Sequence, residues 1–137
     1  MEVFIIVNSY GPSMKIPCEL IVWYVLPSIR RELARELVEN HGLTQAEVAR
    51  RFGVTDAAIS QYLKAKRGTN KEMENSGKYS DFRLEVQRAA VRMIDGSDIV
   101  TETCAVCKMV KQSGMLCKIY EIQAGEKAPE CVWCEPD

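Results

Sequence analysis

His41 is the sole histidine in 137 residues. One histidine near a helix end cannot complete a Ser-His-Asp set, and neither a phosphate-cradling glycine loop nor a paired-carboxylate pocket stands out. The sequence does not read as an enzyme, and His41 reads as a partner for the negative end of a helix dipole. Long apolar runs are also lacking. Leu20 to Leu26 is only seven residues, too short to cross a bilayer. The N-terminus has no basic segment, and Asn8, Tyr10 and Pro12 interrupt its apolar stretch, so no signal peptide is expected. No internal repeat is evident. These absences point to a cytoplasmic chain with no membrane partner, in which thiols stay reduced and paired cysteines more often bind metal than each other.

Net charge is nearly absent too, at −1. Its distribution is uneven. Residues 28–71 hold nine Lys/Arg against five Asp/Glu, a balance of +4, whereas residues 72–137 hold eight against twelve, a balance of −4. A basic front and an acidic back suit a chain with one nucleic-acid-binding half. The length fits one domain with an appendage, and 47% hydrophobic content supports a folded core.

Along the chain, residues 1–13 read as an N-terminal extension, or an over-called start, with a short strand at Val3–Val7 before a Gly-Pro turn. The apolar run Ile16 to Leu26 fits a buried strand or a buried helix equally. Pro27 suits the first turn of a helix ending near Asn40. Its core face is Ile29, Leu33 and Leu37, and Arg30, Arg31, Glu32, Arg35, Glu36 and Glu39 are expected on its solvated face. Gly42 then supplies a left-handed cap.

Residues 43–68, LTQAEVARRFGVTDAAISQYLKAKRG, carry the strongest pattern. Thr44 and Glu47 form a capping box for a helix Gln45–Phe52 that buries Val48 and Phe52. Ala46 and Ala49 permit close helix contact. Gly53 allows a sharp turn, Val54 packs inward, and Thr55 caps a second helix, Asp56–Lys64. Its buried side is expected to be Ala58, Ile59 and Leu63. Polar or small residues face away, as a helix reading base edges in the major groove requires. Gln61 can pair with adenine, and Thr55, Ala57 and Ser60 can make hydroxyl or methyl contacts. Gln45 is placed for a phosphate, and Lys64, Lys66 and Arg67 supply backbone charge. Residues 65–80 read as a polar loop. Ser80 is expected to cap a helix from Asp81 to Ile94, with Phe82, Val86, Ala89, Ala90 and Met93 on its core face.

In these residues the sequence resembles the Cro/C1-type (XRE-like) helix-turn-helix regulators: L-T-Q, then A-x-x-x-G-V-T, then I-S-x-Y-L-x-x-K-R-G. The resemblance covers residues 29–68. From Met14 onward the chain also resembles a group of archaeal transcriptional regulators with a C-terminal cysteine cluster. It implies a mainly α, lambda-repressor-like domain over residues 14–96, usually dimeric, on a two-fold symmetric DNA operator. It further implies that Gln45, Thr55, Asp56, Ala57, Ser60 and Gln61 face DNA. Asp56 departs from an ideal contact, because phosphate repels a carboxylate. It can accept a hydrogen bond from cytosine or simply favour the helix N-terminus.

Residues 97–137 are expected to be a cysteine-rich metal-binding tail without a core of its own. The spacing is Cys104-x2-Cys107-x9-Cys117-x13-Cys131-x2-Cys134. Two Cys-x-x-Cys pairs suit one ion or cluster, and the lack of histidine makes the site all-thiolate. Four thiolates would hold an iron–sulfur cluster, of the 4Fe–4S type, or alternatively zinc, leaving a spare thiol. The uneven spacing favours the cluster. Tyr120 and Trp133 could shield it, and Cys18 reads as a small buried hydrophobe. Two functions follow. One is a dimeric regulator whose DNA affinity is linked to an iron–sulfur cluster, with Trp23 and Tyr24 contributing to the dimer contact. The other is a zinc-stabilised DNA- or protein-interaction module that senses nothing.

Overall fold

A computed structural model describes residues 17–64, 71–74 and 76–125. Helices α1 (Pro17–Leu20), α2 (Leu26–Glu39), α3 (Gln45–Phe52), α4 (Asp56–Leu63), α5 (Lys71–Glu74), α6 (Tyr79–Ile94), α7 (Ile99–Gln112) and α8 (Met115–Ala124) follow in order, and a π-helical turn (Ile21–Val25) joins α1 to α2. There is no strand among the described residues. The expected strand at Val3–Val7 lies outside them.

The apolar run before Pro27 is therefore helical, and Pro27 stands in the first turn of α2 as expected, with the helical backbone continuing into it from the π turn. Proline has no N–H to donate, and its ring crowds the carbonyl four residues back. The wider turn accommodates it, with the Leu26 N–H donating to the Ile21 carbonyl five residues earlier. Leu20 and Val25 reach the core from this segment, which packs against α8 and α2.

Helix α2 is the centre of the fold. It touches the π turn, α3, α4, α6 and α7. Ile29, Leu33, Ala34 and Leu37 are fully buried, as their spacing predicts. Of the charged residues expected on its solvated face, Glu39 is exposed and Arg30 and Arg35 are half-buried, but the other three are not solvated. Arg31, Glu32 and Glu36 are buried, because α6 and α7 pack over flanks that would be open on a two-sided helix. Glu32 accepts hydrogen bonds from Arg31, from Arg83 and from the Tyr79 hydroxyl, the last at 3.2 Å. Burial, then the charge of Glu32, pushes the Tyr79 pKa up. The Arg31 Nε is buried without a hydrogen-bond partner among the described residues. Gly42, at φ 74°, turns the chain out of α2 and lets the Leu43 N–H reach the Leu37 carbonyl at 3.1 Å.

The region after α4 is more ordered than its composition suggests. Residues 65–70 lie outside the described set, but α5 follows, and Met73 is fully buried against the core. Helix α6 starts at Tyr79, not Asp81. Lys78 occupies the N-cap position without a side-chain cap, so Ser80 does not cap the helix. Instead Ser76 Oγ accepts from the Lys78 N–H at 3.2 Å and donates to the Met73 carbonyl at 2.7 Å. Phe82, Val86, Ala89, Ala90 and Met93 line the buried side of α6 as expected.

Residues 99–124 are two helices built into the same core, not the coreless tail that the cysteine spacing suggests. Val106 and Val110 of α7 and Met115, Leu116 and Ile119 of α8 are buried in a single cluster with α2 and α6. Asp98 caps α7 by accepting the Thr101 N–H at 2.7 Å, which lowers its carboxyl pKa. The short corner between α6 and α7 is further held by Arg92, which bonds Glu85 at 2.9 Å and the buried Glu102 at 2.9 Å.

Removing the Glu32 carboxylate would leave Arg31 buried without its counter-charge. Glu32→Ala is expected to cost about 3 kcal/mol, at the low end for a broken buried pair because solvent screens the partly exposed Arg83. Urea unfolding measures this. A loss below about 1 kcal/mol, the range of surface pairs, would show that the cluster does not hold α2 to α6.

Candidate nucleic-acid interface

The segment from Thr44 to Lys64 is built from local interactions. The Thr44 N–H donates to Glu47 Oε1 at 3.0 Å, and the Glu47 N–H donates to Thr44 Oγ1 at 3.1 Å. This is the expected capping box, and donation from the Thr44 N–H, then from the Thr44 hydroxyl, holds the Glu47 carboxyl below its usual pKa. Gly53 ends α3 in the left-handed region, at φ 69° and ψ 32°. A Cβ there would meet nothing within 4 Å, so glycine is required by the backbone angle and not by space. The Val54 N–H then bonds the Ala49 carbonyl at 3.0 Å, and Thr55 Oγ1 accepts the Ala58 N–H at 3.1 Å to open α4. Turn, cap and small residue all stand where the sequence places them.

The buried side of this unit is Val48, Ala49 and Phe52 from α3 and Ala58, Ile59 and Tyr62 from α4. Tyr62 takes the deep position expected of Leu63, which is only partly buried. The shift rotates the inner face of α4 slightly, toward residues 58, 59 and 62. The opposite side carries the predicted contact residues. Asp56, Ala57 and Lys64 are exposed, and Ser60 and Gln61 are half-buried. Their positions fall one helical turn apart, so they form a single stripe. Thr55 is exposed at the start of α4, and Gln45 is exposed in the first turn of α3. Both lie at helix N-termini, where backbone N–H groups and the dipole favour an anion. Lys66 and Arg67 lie outside the described residues.

Arg51 has a role that the sequence pattern did not reveal. It is exposed in the last turn of α3, and its Nη1 donates to the Met93 carbonyl at 3.0 Å, near the end of α6. A partner 42 positions away cannot be read from local spacing.

Residues 35–73 match the helix-turn-helix family model. This segment is a helix-turn-helix. The matched stretch runs from the middle of α2 to α5 and stops short of α6 and the cysteines. No curated protein and no solved structure matches the chain. No helix among the described residues is long and apolar enough to cross a membrane.

The cysteines are divided. Cys104 is exposed and Cys107 half-buried, one turn apart on α7, and Cys117 is half-buried on α8. Burial pushes the Cys107 thiol pKa up, with Lys111 opposing and Cys104 adding to the rise. No three metal-binding side chains come together among the described residues. Cys131, Trp133 and Cys134 lie outside the described residues. Cys18 lies in α1, with its side chain outside the described set.

Proposed function

We propose that the protein is a sequence-specific transcriptional regulator that binds its operator as a homodimer, with α4 in the major groove. The observation that carries this reading is the stripe along α4: exposed Asp56, Ala57 and Lys64 with half-buried Ser60 and Gln61, opposite a buried Ala58, Ile59 and Tyr62. Gln61 and Ser60 read base edges, and Thr55 and Ala57 make hydroxyl or methyl contacts. Gln45 and Lys64 hold phosphates, joined by Lys66 and Arg67. Asp56 favours the N-terminus of α4 and can accept from a cytosine amino group. A two-fold dimer places two such helices about one DNA turn apart. Val22 and Trp23, exposed on the π turn, support a subunit contact there.

The reading extends to a thiolate-bound group. Cys104 and Cys107 supply two soft donors from one turn of α7. Cys117, Cys131 and Cys134 complete the set of five, of which four would ligate and one would remain a spare thiol. The donor set fits a 4Fe–4S cluster, or zinc in the alternative module without a sensing role. Such a cluster would supply a redox-labile crosslink between the two pairs. Helix α7 packs on α2 and α6, and α2 packs on α4, which supports a link between this group and DNA affinity.

Gln61→Ala and Ser60→Ala should each weaken binding to a selected operator by about 1–3 kcal/mol per lost base contact, with little change on unrelated DNA. Equal loss on both DNAs, or none, would contradict the assignment of α4. Protein purified without oxygen should be brown, with visible absorption that chelation removes together with tight operator binding. A colourless, zinc-loaded protein would contradict the sensing role.

A further inference from the structure

The corner between α6 and α7 is connected on both sides. On one side, the buried Glu102 accepts from Arg92 Nε at 2.9 Å and from Ser97 Oγ at 2.7 Å. Arg92 also bonds Glu85 at 2.9 Å, two turns back on the same face of α6. These two bonds raise the guanidinium pKa, Glu102 foremost. On the other side, the next carbonyl along, that of Met93, accepts from the Gly96 N–H at 3.1 Å and from Arg51 Nη1 at 3.0 Å. Arg51 belongs to α3, three residues before Val54 of the turn. A guanidinium at the carbonyl end of α6 is a charge-assisted cap, favoured by the helix dipole. Glu102 lies in the first turn of α7, immediately ahead of Cys104 and Cys107.

We propose that Arg51 is a positioning residue, which ties the helix-turn-helix to the α6–α7 corner and so makes the orientation of α4 depend on the state of α7. Displacing the first turn of α7 moves Glu102, then Arg92 and the carbonyl end of α6. Arg51 then loses its acceptor or carries the shift into α3. This deepens the regulatory reading above and rests on it, because α7 is where the cysteine pair stands. The coupling itself needs no DNA and is measured without it.

The test is amide hydrogen exchange on the full chain, free of DNA, for wild type, Arg51→Met, Glu102→Gln and the double variant. Glu102→Gln should speed exchange of amides in residues 45–63 about five- to tenfold, a typical coupling size, while α2 amides stay protected. The double variant should exchange no faster there than Arg51→Met alone, because both changes act through one link. Arg51→Lys, which keeps a donor, should restore slow exchange. Changes confined to residues 92–112, full additivity, or an equal rise in α2 would each overturn the proposal. A second readout separates positioning from direct contact. Arg51→Met should weaken operator binding about five- to tenfold with an unchanged salt slope. A slope reduced by about one would make Arg51 a phosphate ligand and overturn the assignment.

Discussion

Enclosure of α2 is the constraint on which the rest of the structure depends. A helix touched by α3 and α4 on one side and by α6 and α7 on others cannot keep all its charges in water: Arg31, Glu32 and Glu36 are buried, while Arg35 and Glu39 stay at the surface. Glu32 is consequently almost without solvent, and its carboxylate is compensated by Arg31, Arg83 and Tyr79. That compensation matters because an uncompensated buried charge costs several kcal/mol, more than most single apolar contacts return. The same cluster fixes where α6 lies along α2. The position of α6 in turn sets the Met93 carbonyl that Arg51 reaches.

The helix-turn-helix was legible in sequence because it is held by short-range interactions. Thr44 with Glu47, Gly53, and Thr55 with Ala58 all act within a few residues, so residue type and spacing suffice to place them. Helix α2 was legible in its apolar positions but not in its charged ones. Arg31, Glu32 and Glu36 look solvated when only one helix is considered, and their burial follows from α6 and α7 arriving over them. Tyr62 displaced Leu63 from the deepest place for a related reason: the neighbours of α4 decide which side chain of an adjacent pair is covered. The apolar run before Pro27 remained open to two readings because periodicity cannot separate a buried strand from a buried helix.

The region after Asp98 shows the same limit in another form. Cysteine spacing drew attention to Cys104, Cys107 and Cys117 as ligands, while the apolar positions between them carried a different message. Val106 and Val110, and Met115, Leu116 and Ile119, repeat at helical spacing and complete the common core. Two of the cysteines therefore ride on a helix that is part of the same body as the DNA-reading unit. A change at Cys104 and Cys107 is applied to a packed helix, where displacement has to be accommodated by neighbours, and not to a free tail.

If α4 reads the operator, its outer stripe meets the DNA. Backbone amide chemical shifts during titration with a selected operator duplex test it most directly. The largest changes are expected at Thr55, Asp56, Ala57, Ser60, Gln61 and Lys64 and at the N-terminus of α3 around Gln45. Large changes centred instead on α6 or α8, with α4 unmoved, would contradict it.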